Sequence, residues 1–272
     1  MTRFAAAAKG ERVKIFSTKS WWVLALVMVL YVAFTAVVVA GSVSLATSGL
    51  AGGTPLPVGG TPLARMVYAL GPTVGYVFPV LLGSLSVTSE YRNHTLGSTF
   101  VWNGSRTAVL FAKVSSQFVM GALYGALALA AAVLGGVFFF MGAGFNTGLA
   151  STATWLMFIR VILAMGLWGT LGVGIGILVR SQAAAIVIVL VFTQFLEPIL
   201  RMAGMLSDAF AGVVTYLPGA ASDAFTGASF YTEMTGASYQ SLPVWAGGLL
   251  LALYAALFVT LGWLFRWRGD VT

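Results

Sequence analysis

Acid–base chemistry is nearly absent from this chain. It has seven acidic residues, one histidine and no cysteine. Without cysteine there is no disulfide, thiolate metal site or cysteine nucleophile. The one histidine, His94, lies in a loop, so neither a histidine metal site nor a Ser–His triad can be assembled. What remains is charge in unusual places. Glu197 and Arg201 interrupt an apolar run at i,i+4, the spacing of a helical ion pair. Arg160 interrupts another. Along helices rising about 1.5 Å per residue, Glu197 lies about 25 Å and Arg160 about 30 Å from Arg180, so all three charges fall toward one end and Arg160 comes within reach of Glu197. Two readings follow. The cluster orders the ends of adjacent helices, or it forms an outer gate or substrate headgroup contact. Pro198 removes a backbone hydrogen bond there and loosens the helix.

The elements that must position these charges are membrane spans. Hydrophobic residues make up 59% of the 272, charged residues 8%, and mean hydropathy is +0.96. A soluble domain has about 25% charged residues. Six stretches reach the roughly 20 apolar residues of a bilayer-crossing helix. They are Trp21 to Val43, Met66 to Val87, Phe118 to Met141, Trp155 to Val179, Ala183 to Leu206 and Val244 to Phe265. The expected fold is therefore an all-α membrane protein. The first stretch is too long for a cleaved signal h-region. Pro72 and Pro79 should kink the second span. Gly121 and Gly125, with Gly166, Gly169, Gly172, Gly174 and Gly176, suit close helix packing.

Orientation follows from the basic residues. With the N-terminus in the cytoplasm, eleven Lys and Arg residues fall inside and three (Arg65, Arg160, Arg201) toward the outside. Both termini are then cytoplasmic. The net charge of +7 reports topology, so nucleic acid is not an expected partner. The domains read as a cytoplasmic amphipathic segment at 1–20, a transmembrane domain at 21–265 and a cytoplasmic tail at 266–272. An inner loop spans about 88–117. A long outer loop spans about 207–243, with short helices expected at Phe210 to Leu217 and Phe225 to Tyr231.

The inner loop is either an ordinary basic loop or a short polar helix that moves two spans together. In the helical reading, Ser89 is an N-cap and Glu90 sits at the positive end. Upstream, Glu11, Lys14, Trp21 and Trp22 suit an interfacial anchor touching membrane lipid.

Glu90-Tyr91-Arg92, then Thr95, Arg106, Ala112 and Lys113, resemble the signature of ABC-2 type ABC transporter permeases. Glu11, Lys14, Ser17, Lys19 and Trp21-Trp22 look like the segment that leads that family into its first span. His94 stands where the family usually has Gly, and Gly104 where Pro is common. The resemblance implies the type V exporter architecture, six spans preceded by an N-terminal amphipathic interfacial helix. It also implies a permease in the bacterial cytoplasmic membrane, paired with a second copy or homologue. Two separate ABC ATPase subunits would bind the ATP and Mg. Glu90, Tyr91, Arg92, Thr95 and Arg106 would form the coupling element that docks on them. The cargo would be an amphipathic or hydrophobic lipid, peptide antibiotic or drug. No G-x-x-x-x-G-K-[ST] pattern occurs, so no nucleotide cofactor and no hydrolase activity are expected in this chain. A secondary carrier or channel without an ATPase is the alternative.

Overall fold

The computed structural model describes residues 3–47, 61–142, 144–206, 208–230 and 242–267, and every regular element among them is a helix. In order they are α1 (Arg3–Ser17), α2 (Ser20–Thr47), α3 (Thr61–Gly75), α4 (Val77–Arg92), α5 (Leu96–Asn103) and α6 (Arg106–Gly142). Then come α7 (Thr152–Val179), α8 (Gln182–Val191), α9 (Glu197–Leu206), α10 (Asp208–Val214), α11 (Pro218–Thr226) and α12 (Val244–Gly262). The six expected spans are present as helices long and apolar enough to cross a membrane, so the chain is a multi-pass membrane protein. α3 and α4 share the second span, and α8 and α9 the fifth.

α7 lies at the centre, packed against α4, α6 and α12. Its glycines explain the close approach. A Cβ on Gly172 would strike the Val80 carbonyl, and one on Gly176 would lie 2.6 Å from the Ser84 carbonyl. A Cβ on Gly121 of α6 would strike the Met165 carbonyl. Most residues of the first, fifth and sixth spans are not buried within the bundle, as suits apolar helices facing hydrocarbon.

Two spans are interrupted where proline predicts. The second changes helix at Tyr76, between Pro72 and Pro79, where Pro79 offers no N–H to the Gly75 carbonyl. The fifth widens into a π-turn, Phe192–Leu196, just before Pro198. Such turns absorb a missing backbone bond.

The loops differ more from expectation. The third span begins at Arg106, so the inner loop shrinks to three residues, α5 and two more. Ser89 is not an N-cap and Glu90 does not open a helix, because α4 continues through Arg92. α4 ends in a Schellman motif: Thr95 N–H donates to the Glu90 carbonyl at 3.0 Å and His94 N–H to Tyr91 at 3.2 Å. His94 takes the left-handed position, with φ +55°. Glycine favours that conformation, so the His94 departure keeps the backbone and adds a side-chain strain. Of the outer-loop helices, α10 matches the first piece. The second expected piece, Phe225 to Tyr231, overlaps only the end of α11, which Pro218 starts and Gly227 at φ +77° ends, and Tyr231 lies outside the described residues. Residues 231–241 of that loop, the Gly-Gly-Thr-Pro turns up to residue 60 and the tail beyond 267 lie outside the described residues.

Candidate functional site

One end of the bundle, the basic end, carries α1 and α5. Ala7, Glu11 and Ile15, one helical turn apart, form the buried stripe of α1. Glu11 meets Lys113 of α6 and Glu90 from the last turn of α4. Lys113 Nζ lies 2.7 Å from Glu11 Oε2 and 2.9 Å from Glu90 Oε1, and donates to the Ser86 carbonyl at 3.1 Å. All three ammonium protons are used, as a fully enclosed lysine requires. Lys14 closes the ring, 3.0 Å from Glu11 Oε1 and 2.9 Å from Glu90 Oε1, and donates to Thr99 Oγ1 of α5 at 3.1 Å. Two acids and two lysines thus tie α1, α4, α5 and α6 together with no net charge. Glu90 Oε2 and the Gln117 amide have no hydrogen-bond partner among the described residues. Both residues line a polar cavity of ≈420 Å³ at this end.

The resemblance-derived residues therefore divide. Glu90 is buried in the ring, and its carboxylate faces lysines of its own chain. Tyr91 is half-buried, with the Arg180 guanidinium 5.2 Å from its ring centroid. Arg92, Thr95 and Arg106 are exposed. Arg106 lies over Phe100 at 5.2 Å, and Trp267 Nε1 donates to its carbonyl at 3.0 Å. Glu11 and Lys14 belong to the ring. Trp21 is half-buried with its ring edge-on to Phe16 at 5.2 Å, and Trp22 is exposed. Lys113 and Thr99 were not singled out as site residues. A lysine at the eighth residue of a mostly apolar 37-residue helix was the available signal.

α5 projects beyond the spans. Its inner face is anchored by Leu96 and Phe100, which pack with Val109, Leu110 and Trp267. Its outer face leaves Val101 82% and Trp102 89% exposed.

A second buried cluster occupies the far end. Arg201 lies 3.0 Å from Glu197 Oε1 and 2.7 Å from Asp223 Oδ2. The Tyr76 hydroxyl, at the break between α3 and α4, lies 3.0 Å from Glu197 Oε2 and 3.2 Å from the Thr193 carbonyl and shares its one proton between these two acceptors. Thr73 and Ser229 donate to Asp223 at 3.3 and 3.0 Å. The expected Glu197–Arg201 pair is present. Arg160 is not paired with Glu197; it lies beside Gly227, at the C-terminal end of α11. Its place is taken by Asp223, from the 207–243 stretch that reads in sequence as the long outer loop. Gly219, Ala220, Ala221 and Ala224 let α11 sink against α12 and α7, carrying Asp223 inward. Gly219 lies so close that a Cβ there would strike Glu197 and Arg201.

No family model matches the chain, and no curated protein matches it.

Proposed function

We propose that this chain is the membrane-spanning permease subunit of an ATP-driven exporter in the bacterial cytoplasmic membrane. It works with a second permease copy or homologue and with two separate ATPase subunits that bind ATP and Mg. The observation that carries this reading is α5. It is a short helix set between two spans, with an exposed Val–Trp pair on its outer face and the charge ring behind it. A neighbouring pair of large apolar side chains outside the spans suits protein docking, where buried aromatics supply much of the binding energy. The ring supplies stiffness, so that a push on Trp102 moves α1, α4 and α6 together. The Glu-Tyr-Arg resemblance supports the same reading from sequence. In it, α1 is the amphipathic interfacial helix, both termini are cytoplasmic, and Arg92 and Arg106 flank the docking patch. Glu90 contributes by holding the lever, not by touching the ATPase. The outer cluster stands as a closed outer gate above an apolar path for an amphipathic or hydrophobic cargo.

The secondary-carrier alternative has its own observation. Glu197 and Asp223 are two acids enclosed within one cluster, as ion-coupled carriers use. Purification from the native host in mild detergent separates the two. Recovery of a P-loop ATPase with the chain, and cargo efflux that stops when ATP is withdrawn, supports the exporter. Efflux driven by an ion gradient with no ATPase present supports the carrier.

A further inference from the structure

We propose that the chain holds one anionic phospholipid from the surrounding bilayer. One acyl chain fills a slot between α4, α7, α8 and α12, and the phosphate sits in a basic cleft beside it.

The slot has a volume of ≈410 Å³ and is walled by apolar side chains, among them Val80, Leu171, Ile175, Ile188, Phe192 and Phe258. Three side chains on its walls carry a polar group, and each group is engaged elsewhere. Thr193 Oγ1 donates to the Val189 carbonyl at 2.7 Å, Tyr254 to Tyr216 at 2.8 Å, and Trp168 Nε1 to Ser222 at 3.2 Å. Water needs two or more polar partners, so this cavity takes hydrocarbon. Along α7 the walls run from Trp168 to Val179, about 16 Å at about 1.5 Å per residue. The volume over that length gives a cross-section of about 25 Å², close to the roughly 20 Å² of one chain packed at about 4.5 Å between carbons. One acyl chain fits and two do not. Ile188 lines the slot yet is 49% exposed on the outer side of α8, so the slot opens sideways to the bilayer. That opening makes bilayer lipid the occupant.

The headgroup cleft adjoins it at the basic end. Val179 closes the slot wall, and the next residue, Arg180, lines a cleft of ≈520 Å³ with Arg92, His94, Ser181 and Gln182. Arg180 donates from one terminal nitrogen to the Arg266 carbonyl at 2.7 Å, while its buried Nε has no partner among the described residues. Neither Arg92 nor Arg180 has an acidic partner among the described residues. Two guanidiniums without an acidic partner, one of them held by the Arg266 carbonyl and the Tyr91 ring, match a phosphate in charge and hydrogen-bond geometry where the spans leave the hydrocarbon. The lipid's second chain would stay in the bilayer against α8. The site depends on the spans alone and holds whether the chain is an exporter or a carrier.

The test uses the full chain in nanodiscs of equal phosphatidylglycerol and phosphatidylcholine, followed by gentle detergent extraction and native mass spectrometry. One phosphatidylglycerol should stay per chain, favoured over phosphatidylcholine by about tenfold. Ile175→Trp, which fills the slot, should abolish retention. Arg92→Gln with Arg180→Gln should level the two lipids, and Leu134→Trp, on a lipid-facing surface elsewhere, should change nothing. A phosphatidylglycerol carrying a mid-chain photoreactive group should label wild-type chain chiefly within 168–192, a readout that stands if Ile175→Trp fails to fold. Equal retention of both lipids by wild type, no retained lipid, or labels spread evenly over the lipid-facing spans would overturn the site.

Discussion

Lys113 and Glu11 stand 102 positions apart in the chain, and their side chains meet at 2.7 Å with the ammonium wholly enclosed. This contact fixes α1 to the third span. It converts a basic N-terminal segment into part of the bundle, so that α1 cannot move without α6.

Breaking the contact should therefore release α1. Removing one partner of a buried pair costs about 3–5 kcal/mol. Glu11→Ala leaves Lys113 with Glu90, so its cost should fall toward the lower figure. Tm in detergent should drop, and trypsin should cut at Lys9 or Arg12 faster than in wild type. Unchanged Tm and unchanged cleavage would show that the ring does not hold α1.

The far cluster should behave as a unit. Arg201→Met leaves Glu197 and Asp223 facing each other without a cation, and should destabilise by about 3–5 kcal/mol. Adding Glu197→Gln and Asp223→Asn to Arg201→Met should recover much of that loss, because the remaining groups are neutral. Melting of the single and triple variants side by side measures the coupling. Equal losses in both would mean that the charges are not coupled.

His94 offers a backbone test. A non-glycine residue in the left-handed region costs about 1–2 kcal/mol, offset in part by the extra freedom glycine gives the unfolded chain. His94→Gly should raise Tm slightly, and His94→Val should lower it. A fall with glycine would show that the imidazole makes a contact worth more than the strain.

The spans were legible in the sequence because length and apolarity decide them, and each end agrees with the structure to within a few residues except at Phe118. There the third span starts twelve residues early, since polar Arg106, Lys113 and Gln117 hid a helix that hydropathy alone cuts short. The proline breaks and the Glu197–Arg201 pair were legible from local spacing. The charge ring was not. Its four members come from three distant segments, and the register that joins Glu11 to Lys113 is set by tertiary packing. Asp223 was missed for a related reason: a loop residue becomes an interior one only when a small-residue helix such as α11 sinks beside it. The Glu-Tyr-Arg motif falls in the last turn of α4, and the exposed apolar pair Val101 and Trp102 lies on α5, because the α4 helix continues three residues past Ser89.

Topology can be checked with single cysteines, since the chain has none of its own. Ser98 on α5 and Thr152 at the start of α7 are both exposed and lie at opposite ends of the bundle. In intact cells an impermeant thiol reagent should label Ser98→Cys poorly and Thr152→Cys well. The reverse pattern would invert the orientation.

The exporter reading stands most directly on Trp102. At 89% exposure it supports nothing in the fold, so Trp102→Ser should leave Tm within about 0.5 kcal/mol of wild type. The measurement is the affinity of the co-purifying P-loop ATPase for wild-type chain and for Trp102→Ser in nanodiscs, with Thr152→Ala as control. The account predicts that Trp102→Ser weakens binding by at least about tenfold, the loss expected for a docking aromatic, and abolishes ATP-dependent efflux. Unchanged ATPase affinity and unchanged efflux in Trp102→Ser would contradict it.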